Sequence, residues 1–154
     1  MTARRRLLAT ASALVSLAAL TACERPAPIV TLVNEGRSVY AEAGVWCFEP
    51  EDPESCKTRN TEEVGLEVLP GALGVDVHKE LADSRWIATL VDEANPEQAL
   101  VDSGVQEGHY YAFDIPALPR EARLILTVRA LAEGADPTAE PRGTWQFTIT
   151  SRDA

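Results

Sequence analysis

Residues 145–150 read Trp145-Gln146-Phe147-Thr148-Ile149-Thr150. Large apolar side chains take every second position and polar ones fill the gaps. Successive side chains of an extended chain point to opposite faces, so this segment predicts a strand with one buried and one wet face. Upstream, Leu124-Ile125-Leu126-Thr127-Val128 is rich in β-branched residues. Pro119, Glu121 and Gly134 would suit the start and end of a helix over 119–133. The β-rich composition favours a strand instead, paired antiparallel with 144–150 across the 132–143 loop.

The same pattern recurs towards the N-terminus. Residues 29–33 predict a strand stopped by Asn34-Glu35-Gly36. A long strand is expected over 38–48, with Val39, Ala41, Ala43, Val45 and Cys47 on one face and Tyr40, Glu42, Gly44, Trp46 and Phe48 on the other. Strands follow at 65–68, at 73–77 after a Pro70-Gly71 turn, and at 85–91, with one helical turn at 79–83. After the Asn95-Pro96 break come a short edge candidate at 99–101 and a strand at 110–115. About nine short strands at roughly 8–12-residue spacing predict an all-β, immunoglobulin-like β-sandwich over 29–154.

The first 22 residues are of a different kind. Arg4, Arg5 and Arg6 precede a 16-residue apolar run, Leu7 to Ala22, which ends in Leu20-Thr21-Ala22-Cys23. A cationic start and a short apolar run are the marks of a secretory signal peptide, and a permanent span needs about 20 apolar residues. The final four residues resemble the lipobox of bacterial lipoproteins at all four positions. That resemblance implies cleavage after residue 22 and acylation of Cys23 by palmitate-type chains; the competing reading is an ordinary signal peptide with a chance cysteine. At about 0.8 kcal/mol per buried CH₂, two chains make a stable membrane anchor. Residues 23–28 form a short Pro-rich tether reaching about 15 Å, which would hold the domain close to the extracytoplasmic face of the cell membrane.

Three cysteines in an exported chain leave one over. Acylation of Cys23 accounts for it, and Cys47 and Cys56 can then form a disulfide, which persists outside the cytoplasm. Metal ligation is the weaker alternative, because no second Cys pair or nearby His completes a set. A bridge between residues nine apart pins a loop rather than crossing a core, so Cys47 must lie near the end of its strand. The enclosed segment holds Glu49, Glu51, Asp52 and Glu54. Clustered carboxylates can supply oxygens to a cation, but two prolines restrict their convergence, and a rigid solvated loop is the simpler expectation. Trp46 and Phe48 flank this loop and make it a candidate binding surface, with core packing as the alternative for both rings.

The chain has 154 residues and a net charge of −10. Such acidity excludes tight binding to nucleic-acid phosphates or to anionic lipid through a basic patch. Only two histidines are present, His78 and His109. Asp76 and His78 would share a face if both lay on a strand, so an envelope enzyme or metal-dependent hydrolase using this pair is one functional class. No nucleophile elbow, zinc-helix or phosphate-loop motif accompanies them, and no cofactor is expected. The leading expectation is a non-catalytic binding or interaction module of the cell envelope, attached to membrane lipid through Cys23 and partnered by another envelope protein. A structural accessory lipoprotein is the third class.

With the lipobox, Trp46-Cys47, Cys56, the Gly74-Val75-Asp76-Val77 to Trp86 segment and Trp145 in view, the chain resembles a family of uncharacterised actinobacterial lipoproteins known only as a domain of unknown function. The resemblance implies an exported, lipid-anchored, β-rich protein and brings no catalytic residues.

Overall fold

A computed structural model of the chain describes residues 26–49, 51–59 and 62–152. Acylation of Cys23 and cleavage after residue 22 fall outside the described residues. Among the described residues eleven strands and two helical turns are present, the strands being β1 (Ile29–Asn34), β2 (Arg37–Glu42), β3 (Val45–Cys47), β4 (Cys56–Thr58), β5 (Val64–Val68), β6 (Gly71–Val77), β7 (Arg85–Asp92), β8 (Asn95–Asp102), β9 (Tyr110–Ile115), β10 (Arg123–Leu131) and β11 (Gly143–Ser151). The helical turns are α1 (Lys79–Ala82) and a 3-10 turn (Pro53–Ser55). Among the described residues no helix is long and apolar enough to cross a membrane.

The strands form two sheets packed as a sandwich. One is four-stranded, in the order β2-β1-β6-β9. The other runs β4-β3-β11-β10-β7-β8, with β5 parallel to β11. The run β11-β10-β7-β8, facing a β6-β9 pair, is the arrangement of an immunoglobulin-type sandwich. One edge of β11 is shared: β3 pairs with Gly143 and Thr144, and β5 with Phe147 to Ser151.

The alternation read in 145–150 places the core. Trp145, Phe147 and Ile149 are buried and meet Leu124, Leu126 and Val128 of the antiparallel neighbour β10. Strand β10 spans Arg123–Leu131, so the helix signals at Pro119 and Gly134 mark only its flanking turns. From the opposite sheet come Val30, Leu32, Leu73, Val75 and Val77. Asn34, 1% exposed, is one of two buried polar residues among the described residues, Thr148 being the other. The Asn34 side-chain amide donates to the carbonyls of Leu69 and Ala72 at 3.2 and 3.0 Å, and its oxygen accepts from the Leu69 N–H at 2.8 Å. A buried amide with its hydrogen bonds satisfied carries no desolvation penalty, and here it ties the β5–β6 turn to the end of β1.

Three expectations need correction. The strand expected over 38–48 is two strands in different sheets, because the chain crosses the sandwich at Ala43 and Gly44. There Gly44 N–H donates to Thr144 and Gly44 C=O accepts from Arg59, so hydrogen bonding switches to new partners. The crossing also resets the alternation: Val45, expected on one face with Ala41 and Ala43, is exposed while they are buried, and Trp46 is buried. Second, Asn95-Pro96 does not break the chain but opens the eight-residue strand β8, and the turn lies just before it. Proline is tolerated because β8 is an edge strand with irregular register. Third, residues 27 and 28, expected in the tether, are packed against the sandwich. Ala27 packs on the core, and buried Pro28 accepts a hydrogen bond from Trp145 Nε1 at 3.0 Å, so both belong to the folded body.

Candidate functional site

The Cys47–Cys56 disulfide joins directly paired residues of the β3–β4 hairpin, with Cys47 the last residue of its strand. Within the enclosed loop, Ser55 Oγ donates to the carbonyls of Glu49 and Asp52, both at 2.7 Å. Asp52 Oδ1 caps the 3-10 turn by accepting from Glu54 N–H at 2.9 Å. One carboxylate is thereby engaged by backbone. Among the described residues no group of three His, Cys, Asp or Glu side chains converges on a metal-sized site.

Trp46 does not face outward from this loop. It is 1% exposed, its ring 5.7 Å from that of Trp145 and edge-on to half-buried Phe48 at 6.4 Å. The Arg142 guanidinium covers it at 4.3 Å from the ring centroid. The same guanidinium donates to the carbonyls of Cys47 (2.8 Å) and Phe48 (3.0 Å) and faces Glu80 at 3.5 Å. Gly143 makes the close packing possible: a Cβ there would meet Trp46 Cε3 at 2.5 Å. The proposed recognition surface at Trp46 is therefore a buried buttress, corrected by the phase reset at Gly44. Arg142 was not legible, since it lies 95 residues from Cys47 in a loop with no periodicity. Double replacement of Cys47 and Cys56 by Ala should lower stability by about 2–3 kcal/mol, from the closure entropy of a ten-residue loop. Urea unfolding checks this; an unchanged midpoint would show that Arg142 alone holds the hairpin.

Asp76 and His78 are not brought together as an acid–base pair. Asp76 lies on β6 and is exposed, whereas His78 follows the strand and caps α1, accepting from Glu80 N–H through Nδ1 at 3.3 Å. His109 is likewise engaged by backbone, its Nδ1 3.3 Å from the Val77 carbonyl.

On the outer face of the larger sheet, Arg123 bridges Glu93 (2.8 Å) and Glu63 (2.9 Å), and Thr148 Oγ1 donates to Glu63 at 2.6 Å. The Thr148 hydrogen bond, followed by the Arg123 charge, holds the Glu63 carboxyl below its ordinary range. A depressed carboxyl stabilises the fold above its unfolded-state pKa, and that contribution is lost as pH falls through the folded value. Thr148→Val should therefore narrow the stability difference between pH 7 and about pH 3. Urea midpoints at the two pH values test this; an unaltered difference would remove Glu63 from the acid response.

The outer face of the four-stranded sheet has no covering element among the described residues. Its outward side chains are Ile29, Thr31 and Val33 from β1, Ser38, Tyr40 and Glu42 from β2, Ala72, Gly74 and Asp76 from β6, and Tyr110, Ala112 and Asp114 from β9. The registers align Tyr40, Thr31, Asp76 and Tyr110 in one cross-strand row. Tyr40 is 66% and Tyr110 59% exposed. Of the six large hydrophobic side chains exposed among the described residues, Ile29, Val33, Tyr40 and Tyr110 all lie here. Period-two reading put Tyr40 on the face opposite Val39, but its place in one row with Tyr110, 70 residues away, depends on three successive strand pairings, β2 with β1, β1 with β6 and β6 with β9. Comparison with protein-family models, curated proteins and solved structures finds no match to this chain.

Proposed function

We propose that this chain is a lipid-anchored, extracytoplasmic binding module of the cell envelope with no catalytic role of its own. The observation that carries the reading is the uncovered sheet face just described. Monomeric surfaces scatter their large apolar side chains, and a gathering of tyrosines with aliphatic neighbours marks a contact surface. The lipobox-like Leu20-Thr21-Ala22-Cys23 supports attachment through acylated Cys23. A disulfide suits the oxidising compartment that such an anchor requires. Pro28 is already part of the body, and β1 carries Ile29, Thr31 and Val33 onto the open face, so the contact surface begins six residues after Cys23 in the sequence.

Fractionation of cells producing the full chain tests the anchor. The protein should be found with the membrane, with a mass corresponding to residues 23–154 plus acyl groups minus the two hydrogens of the disulfide. Cys23→Ala should lose the acyl mass and be retained at least about tenfold less by washed membranes, given the binding energy of two chains. A lipid-free wild-type protein would overturn the reading.

A further inference from the structure

We infer that the outer face of the four-stranded sheet binds an extended, uncharged glycan chain, with Tyr40 and Tyr110 as stacking platforms and Asp76 between them as hydroxyl acceptor. The inference rests on the envelope-module reading and adds the chemical class of the ligand.

Shape argues first. The face is an open sheet surface and not a cavity, so it suits a chain laid across it rather than an enclosed small molecule. Three interstrand spacings separate the two tyrosines, about 14 Å in all, which is the span of a short oligosaccharide. The middle of the face is kept low by Thr31, Gly74 and Ala112. Gly74 has a specific role there. A Cβ at this position would meet Tyr110 Oη, Cε2 and Cζ at 2.3–2.8 Å, so the far end of the ring lies over the glycine backbone. Glycine therefore lets Tyr110 lie along the sheet while 59% of it stays open to solvent.

Charge and donor chemistry narrow the occupant. The outward side chains of the four strands include Glu42, Asp76 and Asp114 and no base. Arg59, from beside the face, is engaged by Glu42. This acidic surface repels anionic polymers, including phosphate-bearing ones, and suits a neutral ligand rich in donors. An ionised carboxylate only accepts hydrogen bonds, whereas Thr31, Ser38 and the tyrosine hydroxyls both donate and accept. A sugar meets that set: its hydroxyls supply donors to Asp76, and its C–H faces pack on aromatic rings as other apolar surfaces do.

The test is co-sedimentation of the full chain, in mild detergent, with protein-free cell-wall polymer from the producing cells. Sedimentation should persist at about 1 M salt, where the screening length is about 3 Å. It should fall when vicinal diols of the polymer are first cleaved with periodate. Tyr40→Ala and Gly74→Ala should each weaken binding roughly tenfold, the second by lifting Tyr110 from the sheet. Tyr110→Phe, which keeps the ring over Gly74, should retain most of it. Unfolding midpoints close to wild type keep these variants interpretable, since both tyrosines are exposed. The glycan assignment is overturned if wild type does not sediment. It is equally overturned if both variants sediment like wild type, or if binding is abolished by salt and indifferent to periodate, the behaviour of charge pairing with cationic groups of the polymer. Those outcomes leave the envelope-module reading standing when the chain is acylated and membrane-bound; a lipid-free chain overturns that reading instead.

Discussion

Trp145→Ala should lower the stability of the domain by about 3–5 kcal/mol, the range for an aromatic side chain removed from a packed core. Trp145 has no exposed surface, and its ring packs on Trp46 at 5.7 Å. Its Nε1 donates to the Pro28 carbonyl at 3.0 Å, a buried hydrogen bond between the start of the folded body and its last strand. The substitution thus opens a cavity, leaves the Pro28 carbonyl unpaired and removes a neighbour of Trp46. A domain of this size has about 5–15 kcal/mol in total, so the loss is a large share. Thermal unfolding followed by circular dichroism should show a Tm lower by about 10–20 °C. Trp145→Phe should fall between, since it keeps much of the volume but not the N–H. A shift below about 5 °C for the alanine variant would mean that the site collapses around the cavity and that the Trp145 contacts contribute little to the core.

Arg142→Ala should cost about 2–4 kcal/mol, with its effect concentrated on the disulfide hairpin. The guanidinium donates to two consecutive carbonyls, those of Cys47 and Phe48, while lying over the Trp46 ring. Charge-assisted hydrogen bonds and a largely desolvated cation–π contact are each worth more than their exposed counterparts. Arg142→Lys should rescue little, because an ammonium cannot present a planar fork to two carbonyls and a flat face to an indole at once. Unfolding midpoints give the magnitude. Limited proteolysis locates it, with faster cleavage expected between residues 48 and 55 in both variants. Equal stability of the Lys variant and wild type would show that charge near Glu80, and not the fork, is what matters.

Where an element stayed within one sheet, its sequence could be read directly. Strands β10 and β11 alternate over their length, and they are consecutive in the chain and pair antiparallel across the 132–142 connection. The stretch 38–48 failed because alternation assumes an uninterrupted strand. Gly44 leaves one sheet for the other, and every side chain after it changes face. Pro96 was read as a break because proline lacks an N–H, a defect that has no cost on an edge. Arg142 and Gly74 carried no local signal and Asn34 only that of a turn, since each acts on groups that chain folding brings from elsewhere.

By itself the sequence determined the β class, the inward faces of most strands and the Cys47–Cys56 bridge. Those properties depend on periodicity and on counting, both of which are local in the chain. Only the tertiary structure decided that Trp46 is buried beneath Arg142, that Asp76 and His78 part company, and that Tyr40 and Tyr110 share one open face. The first and last depend on which distant strands pair, set by the packing of the whole core, whereas His78 parts from Asp76 because it leaves the strand to cap α1.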